Sequence, residues 1–354
     1  MPHISRDRPP IGDAIENPTP EAFVHEADLP TNEAPLRSGA MALLPYVWWP
    51  LLLAACLTAL SFGLAHNSGA LSFNLSYAAL AIALFFLERW LPHERQWLKN
   101  DGQILPDLAH TLLSKSLVQM AVVGGAAFGI SHSVGQLPAG KFWPEHWPLP
   151  AQVALGLVIA EFGLYWAHRI AHEWTWLWRF HAVHHSSTRL WFFNTGRFHF
   201  IDTLKSIVIG MPLLFLAGAS GPVIFLVSAI TAYIGMLTHC NVEMRFGPLN
   251  YIFNTPGLHR WHHSTDLREG NRNYGENLVL FDLLFGTFFN PNRRPPAIIG
   301  ISEAMPRTFL GQVKAPFVWE KFQREKGGLA PQGAAFGDTI IRQPDSKSKS
   351  AEPF

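Results

Sequence analysis

Charge is scarce in this sequence, and cysteine scarcer. Asp, Glu, Lys and Arg make up 15% of its 354 residues, against roughly 25% in soluble globular proteins, and that shortage points to lipid. The formal net charge of +1 provides no basic excess for a phosphate backbone, so nucleic acid is not an expected partner. Of the two cysteines, Cys56 lies in an apolar run and Cys240 beside His239, which excludes a disulfide framework and a Cys-based zinc finger. Also missing are a phosphate loop, a dinucleotide fingerprint and a GxSxG elbow. Arg169 stands where a zincin protease needs its glutamate, in His168-Arg-Ile-Ala-His172, so metalloprotease chemistry lacks its general base.

Long apolar runs are what the chain has instead. They cover residues 41–65, 71–86, 108–130 and 151–167; about 20 apolar residues span a bilayer, which the second and fourth reach with their flanks. Two shorter runs, 207–219 and 223–237, meet at Ser220-Gly221-Pro222, as a helical hairpin dipping into the membrane or two tilted spans. The expected fold is all-α: a multi-pass membrane helical bundle of four transmembrane helices plus this short hairpin, with a cytoplasmic histidine-rich helical cap. Residues 1–40 hold seven prolines, show no sustained period and lack a signal-peptide start; they and 326–354 read as flexible tails. Between the tails we expect N-terminal transmembrane helices over 41–150, a catalytic domain over 151–290 and a peripheral segment over 291–325.

Basic residues alternate between linkers. Arg89, Arg95 and Lys99 follow the second run and Arg169, Arg179, Arg189 and Arg197 the fourth, whereas 66–70 has none and 132–148 only Lys141. The positive-inside rule then places both termini and the histidine-bearing segments in the cytoplasm. Trp48, Trp49, Trp90, Trp143, Trp147, Trp174, Trp176 and Trp178 fall near expected span ends, where amphipathic rings favour the interface.

Ten of 17 histidines lie between residues 168 and 263. They form His168-x-x-x-His172, His181-x-x-His184-His185 and His259-x-x-His262-His263, with His199 and His239 standing singly. Positions three and four apart share a helix face, so each cluster presents imidazoles together. Imidazole binds Zn, Cu, Fe and Ni alike; the clusters indicate a metal site without naming the metal, and eight ligands are enough for two ions. Asp107 with His110 is a weaker pairing. Glu161, Asp202, Asp266, Glu269, Glu276 and Asp282 could accept the second N–H of bound imidazoles, although capping and loop solvation suit most of them. His3, His25, His66, His93, His132 and His146 read as surface residues.

The stretches HRIAH, FHAVHH and HRWHH, with LYW and WLWRFH before the first two, THCN at 238–241, FGPLNYIFNTP at 246–256 and FGTFF at 285–289, resemble the fatty acid hydroxylase / sterol desaturase superfamily. The resemblance implies an integral membrane di-iron oxygenase that hydroxylates or desaturates C–H bonds of a fatty acyl, sterol or related lipid, using O2. It implies two iron ions held by His168, His172, His181, His184, His185, His259, His262 and His263, with His239 matching a further histidine. Some members carry another histidine soon after that one; here Asn241, Glu243 or His199 could complete the shell. No HPGG haem motif is present, so electrons are expected from an external donor: a cytochrome, ferredoxin or reductase. A histidine-rich membrane metal-binding or transport protein is the alternative, disfavoured because few ionisable residues fall inside the runs; a zinc hydrolase is a weaker one.

Overall fold

In lipid a backbone must satisfy its own polar groups, and an uninterrupted apolar run does so as a helix. The computed structural model describes residues 14–15, 43–118, 120, 142–210 and 212–326. Helices α1 (Leu44–Ala65) and α2 (Gly69–Trp90) have 22 residues each, about 33 Å at the usual rise. They form a hairpin whose turn is closed by the Ser68 N–H donating to Gly63 O at 2.7 Å. Helix α3 (Ile104–Ala109) runs on as a π-helical segment, His110–Ser116. Helix α4 (Leu149–Glu173) has Pro150 in its first turn, where a missing N–H costs nothing. After the single residue Trp174 comes α5 (Thr175–His185), then α6 (Phe200–Gly210), α7 (Pro212–Ala217), α8 (Gly221–His239), α9 (Pro256–His262), α10 (Leu280–Phe285), α11 (Phe309–Lys314) and α12 (Trp319–Lys326). Strands β1 (Ala14–Ile15) and β2 (Met305–Pro306) pair antiparallel, so two residues of the expected N-terminal tail touch the C-terminal segment.

Among the described residues five stretches are long and apolar enough to cross a membrane: α1, α2, α4, Phe200–Ala217 and α8. The hairpin expected over 207–237 therefore supplies two membrane-length helices. The run at 108–130 begins as α3 and the π segment, and most of the rest lies outside the described residues. Leu53, Leu60, Leu80, Leu84, Val223 and Leu237 of α1, α2 and α8 share one buried core, within which Ser76 Oγ and Tyr233 OH are 2.6 Å apart. Phe62, Leu71, Leu75, Ile82 and Phe86 point outward, each at least 60% exposed; helices apolar all round belong in lipid.

Helices α4 and α6 come within backbone contact. A Cβ on Gly163 would stand 2.5 Å from Ile209 O and 2.7 Å from Gly210 Cα, the small-residue approach common between membrane helices. Two expectations need correction. Trp49, Trp143 and Trp178 are buried rather than interfacial, whereas Trp90, Trp147, Trp174 and Trp176 are exposed. His93 is buried, its Nδ1 2.7 Å from Glu243 Oε2; its surface reading failed because its partner lies 150 positions away.

Candidate metal centre

Each histidine cluster sits where a helix ends against the site. His168 and His172 occupy the last turns of α4, His181, His184 and His185 the end of α5, His239 the last position of α8, and His259, His262 and His263 the end of α9 and its cap. The nine imidazoles fall into two groups: His168, His172, His181, His185 and His262 in one, and His184, His239, His259 and His263 in the other, with ring nitrogens inside each group within 4.8 Å of one another.

The repeated His-x-x-His-His now has a geometric meaning. Residues four apart lie 40° apart around a helix and residues three apart lie 60° the other way. From α5, His181 and His185 enter the first group and His184 the second; from α9, His259 and His263 enter the second and His262 the first. Both repeats feed both groups, whereas His168 and His172 serve the first alone, and the His185 and His263 rings stack across the divide with centroids 4.3 Å apart.

In six of the nine rings a hydrogen bond decides which nitrogen faces inward. The Nδ1 atoms of His168, His262, His184 and His239 face the carbonyl oxygens of Tyr274 (2.8 Å), Arg272 (2.7 Å), Arg197 (3.3 Å) and Gly235 (2.8 Å). His172 Nδ1 meets Asn271 Oδ1 at 3.1 Å, and His181 Nδ1 meets Asp202 Oδ2 at 2.9 Å. Acceptors at Nδ1 hold the proton there and leave the Nε2 lone pair free. Across the groups Nε2 atoms point at one another, those of His185 and His259 included: His172 to His185 and His185 to His181 at 3.1 Å, His184 to His239 at 3.4 Å, and His239 to His259 at 3.1 Å. His168 Nε2 and His262 Nε2 are buried without a hydrogen-bond partner.

Lone pairs facing each other at such distances repel unless a cation or proton stands between them. Protons are disfavoured. Burial, then the charge of neighbouring imidazoles, holds His184, His185, His259 and His263 well below the ordinary imidazole value, and burial takes His262 down to about 3. Two nitrogens bound about 2.1 Å from one ion stand about 3.0–3.4 Å apart, the spacing seen here. The donor set therefore fits metal ions in both groups.

The remaining candidates sit elsewhere. His199 Nε2 lies 3.1 Å from Val313 O and its Nδ1 accepts from the Ile201 N–H. The Asn241 amide bonds the main chain of Glu94 through both ends, and Glu243 faces His93. Asp107 binds Arg197 at 2.6 Å, and His110 faces Gln312, Ser114 and Phe198 O. Of the six proposed carboxylates, Asp202 alone bonds a clustered imidazole among the described residues. Glu161 and Asp282 brace the loop after α9, accepting from Glu276 and Asn277 N–H and from Tyr274 and Gly275 N–H. Asn271 and the carbonyls at 197, 235 and 272 were missed, since a carbonyl's direction carries no residue-type signal.

A cleft opens beside the groups, lined by His168, His181, His184, His239 and His259 together with Lys115, Thr195, Phe198 and Glu276. Its cavity volume is about 80 Å³, small beside the sites that enclose a whole drug-sized ligand, so it has room for one end of a lipid rather than for all of it. Phe198 stacks on His184, centroids 4.3 Å apart and ring planes nearly parallel.

The family model described as fatty acid hydroxylase matches residues 153–287. The ornithine lipid hydroxylase OlsE of Rhizobium tropici is 49% identical over 307 residues, covering 86% of this chain and 91% of that protein. Alkylglycerol monooxygenase of Danio rerio is 29% identical over 180 residues, 49% of this chain and 39% of that protein. The Homo sapiens protein of the same name is 30% identical over 176 residues, 47% and 37% of the two chains. No solved structure matches the chain.

Proposed function

The chain belongs to the fatty acid hydroxylase family, and from that premise we propose that it hydroxylates a C–H bond of an amino-acid lipid of the ornithine-lipid type, using two iron ions. Membership makes it an oxidoreductase acting in lipid hydroxylation. The balance is R–H + O2 + two electrons + two protons giving R–OH + H2O, with the electrons from an external cytochrome, ferredoxin or reductase. The observation that carries this reading is the convergence of nine buried imidazoles with six Nδ1 atoms held by acceptors and the Nε2 atoms turned toward each other.

Iron bound at the two groups would supply the activation of O2 and the removal of hydrogen from an unactivated carbon. His168, His172, His181, His185 and His262 would hold one ion, and His184, His239, His259 and His263 the other. The rest is the work of the chain. Asp202, held by Lys205 at 2.5 Å, fixes the His181 ring from behind, and Asn271 does so for His172. Phe198 covers one face of His184 and shields it from water, while the cleft admits a lipid's polar end from the membrane side. We place the site and both termini in the cytoplasm and the catalytic domain over 151–290.

Purified protein should contain about two irons per chain. His262→Ala and His184→Ala should each lose metal and at least 90% of lipid hydroxylation, as ligand loss requires. A metal-free protein that still hydroxylated lipid, or either variant keeping full iron and rate, would overturn the assignment.

A further inference from the structure

Two opposite charges in the cleft, Lys115 and Glu276, feel each other's field without forming a direct ion pair among the described residues. Lys115 Nζ reaches Thr195 O at 3.4 Å and lies 5.2 Å from the Phe198 ring centroid, with no carboxylate within 4.0 Å among the described residues. The Glu276 side chain has no hydrogen bond or ion pair among the described residues, although its main-chain N–H is fixed by Glu161 at 2.6 Å. The neighbouring pair behaves differently. Asp202 takes both Lys205 and His181, so those charges are satisfied within the protein.

Both residues are placed by structure. Gly196 lets the Thr111 side chain press against the 192–196 turn, which holds Thr195 O beside the π-helical segment bearing Lys115. Glu161 of α4 takes the N–H groups of Glu276 and Asn277 together and sets Glu276 at the wall of the cleft. Through Phe198, Lys115 Nζ lies within about 10 Å of the His184 ring. A half-buried cation and a half-buried carboxylate that face one cleft without touching leave a gap in which a ligand carrying both opposite charges gains more than either side chain gains from the other.

We infer that Lys115 and Glu276 select the substrate by its headgroup, Lys115 taking an anionic group and Glu276 an ammonium. A zwitterionic, amino-acid-type headgroup then enters the cleft and presents its own or adjoining carbons to the histidines. This rests on the lipid hydroxylase reading and adds to it the two side chains that recognise the headgroup, Lys115 standing within about 10 Å of the His184 ring.

The test uses the iron-loaded full chain in nanodiscs, kept free of O2 and reductant so that binding is read apart from turnover. The probes are an ornithine lipid with free ammonium and carboxylate, its N-acetyl form and its methyl ester. The parent should bind the zwitterion roughly tenfold more tightly than either capped lipid, the usual scale of a charge-assisted contact. Lys115→Gln should lose discrimination against the ester only, and Glu276→Gln against the N-acetyl form only. Lys115→Arg and Glu276→Asp should keep the parent's pattern, which guards against misfolding. Equal binding of all three probes by the parent, or unchanged discrimination in both neutral variants, would overturn the inference. Separately, iron-loaded parent given O2 and reductant reports on the hydroxylase reading: oxidation without headgroup discrimination sinks the inference alone, and discrimination without oxidation sinks the reading alone.

Discussion

A buried histidine in this molecule takes its role from whatever faces its two nitrogens. His199 has both engaged by main-chain atoms and stays apart, whereas His168 has one engaged and one orphaned. His93 illustrates a third outcome. Burial, then the Arg260 guanidinium, pushes its imidazole down to about 3 against the opposing pull of Glu243. Burial alone would raise the Glu243 carboxyl, but its hydrogen bond with His93 and the nearby Arg294 and Arg260 hold it at about 2. Arg294 also donates to His93 O. Both folded values lie below the unfolded ones, so the unfolded chain binds more protons and acid destabilises. His93 contributes in full above about pH 6.5, and its contribution is lost as pH falls toward 3; Glu243 adds its loss only below about 4.5. His93→Asn keeps a donor for Glu243 and cannot titrate. Its unfolding free energy between pH 4.5 and 6.5 should therefore fall less steeply than the parent's, by up to about 1.4 kcal/mol per pH unit. Equal slopes in denaturant titrations of the iron-loaded proteins would contradict this.

At the scale of elements, the centre depends on how closely α4 and α6 approach, because one carries His168 and His172 and the other Asp202. Gly163 sits five residues before His168 and against the α6 backbone. Gly163→Ala should cost about 1–3 kcal/mol through overpacking and loosen iron in the five-histidine group. Gly221→Ala, where an added Cβ meets nothing within 4 Å, should melt close to the parent. Melting curves and chelator challenge of both variants check this. Helix existence was legible, because apolar length alone decides it, and so were the three clusters, because spacing puts their rings on shared faces. The sharing of the two His-x-x-His-His clusters between two groups was not, since it depends on how α5 and α9 face each other. Nor was the pairing of Lys115 with Glu276 in one cleft, since the two come from segments more than 150 positions apart.

On the scale of the whole molecule, the histidines mark one end. The Arg245 N–H donates to Pro45 O and the Glu243 N–H to Leu91 O, so the start of α1 and the end of α2 join the segment leaving α8 beside His239. The α1–α2 turn at His66, Asn67 and Ser68 lies a helix length away, about 33 Å, which matches a bilayer's hydrocarbon core. That far turn carries no Lys or Arg, while the segments at the histidine end carry Arg89, Arg95, Lys99, Arg268, Arg272, Arg293 and Arg294. Basic loops stay cytoplasmic, so the two ends should face opposite compartments. Cys56 and Cys240 are both buried, which leaves a quiet background for an impermeant maleimide. Cysteine at Arg324, in α12, should react in inverted but not right-side-out vesicles, and cysteine at the exposed His66 should do the reverse. Labelling of both from one side would mean that the α1–α2 hairpin does not cross, and the substrate would then have to reach the cleft by a path other than the bilayer leaflet beside it.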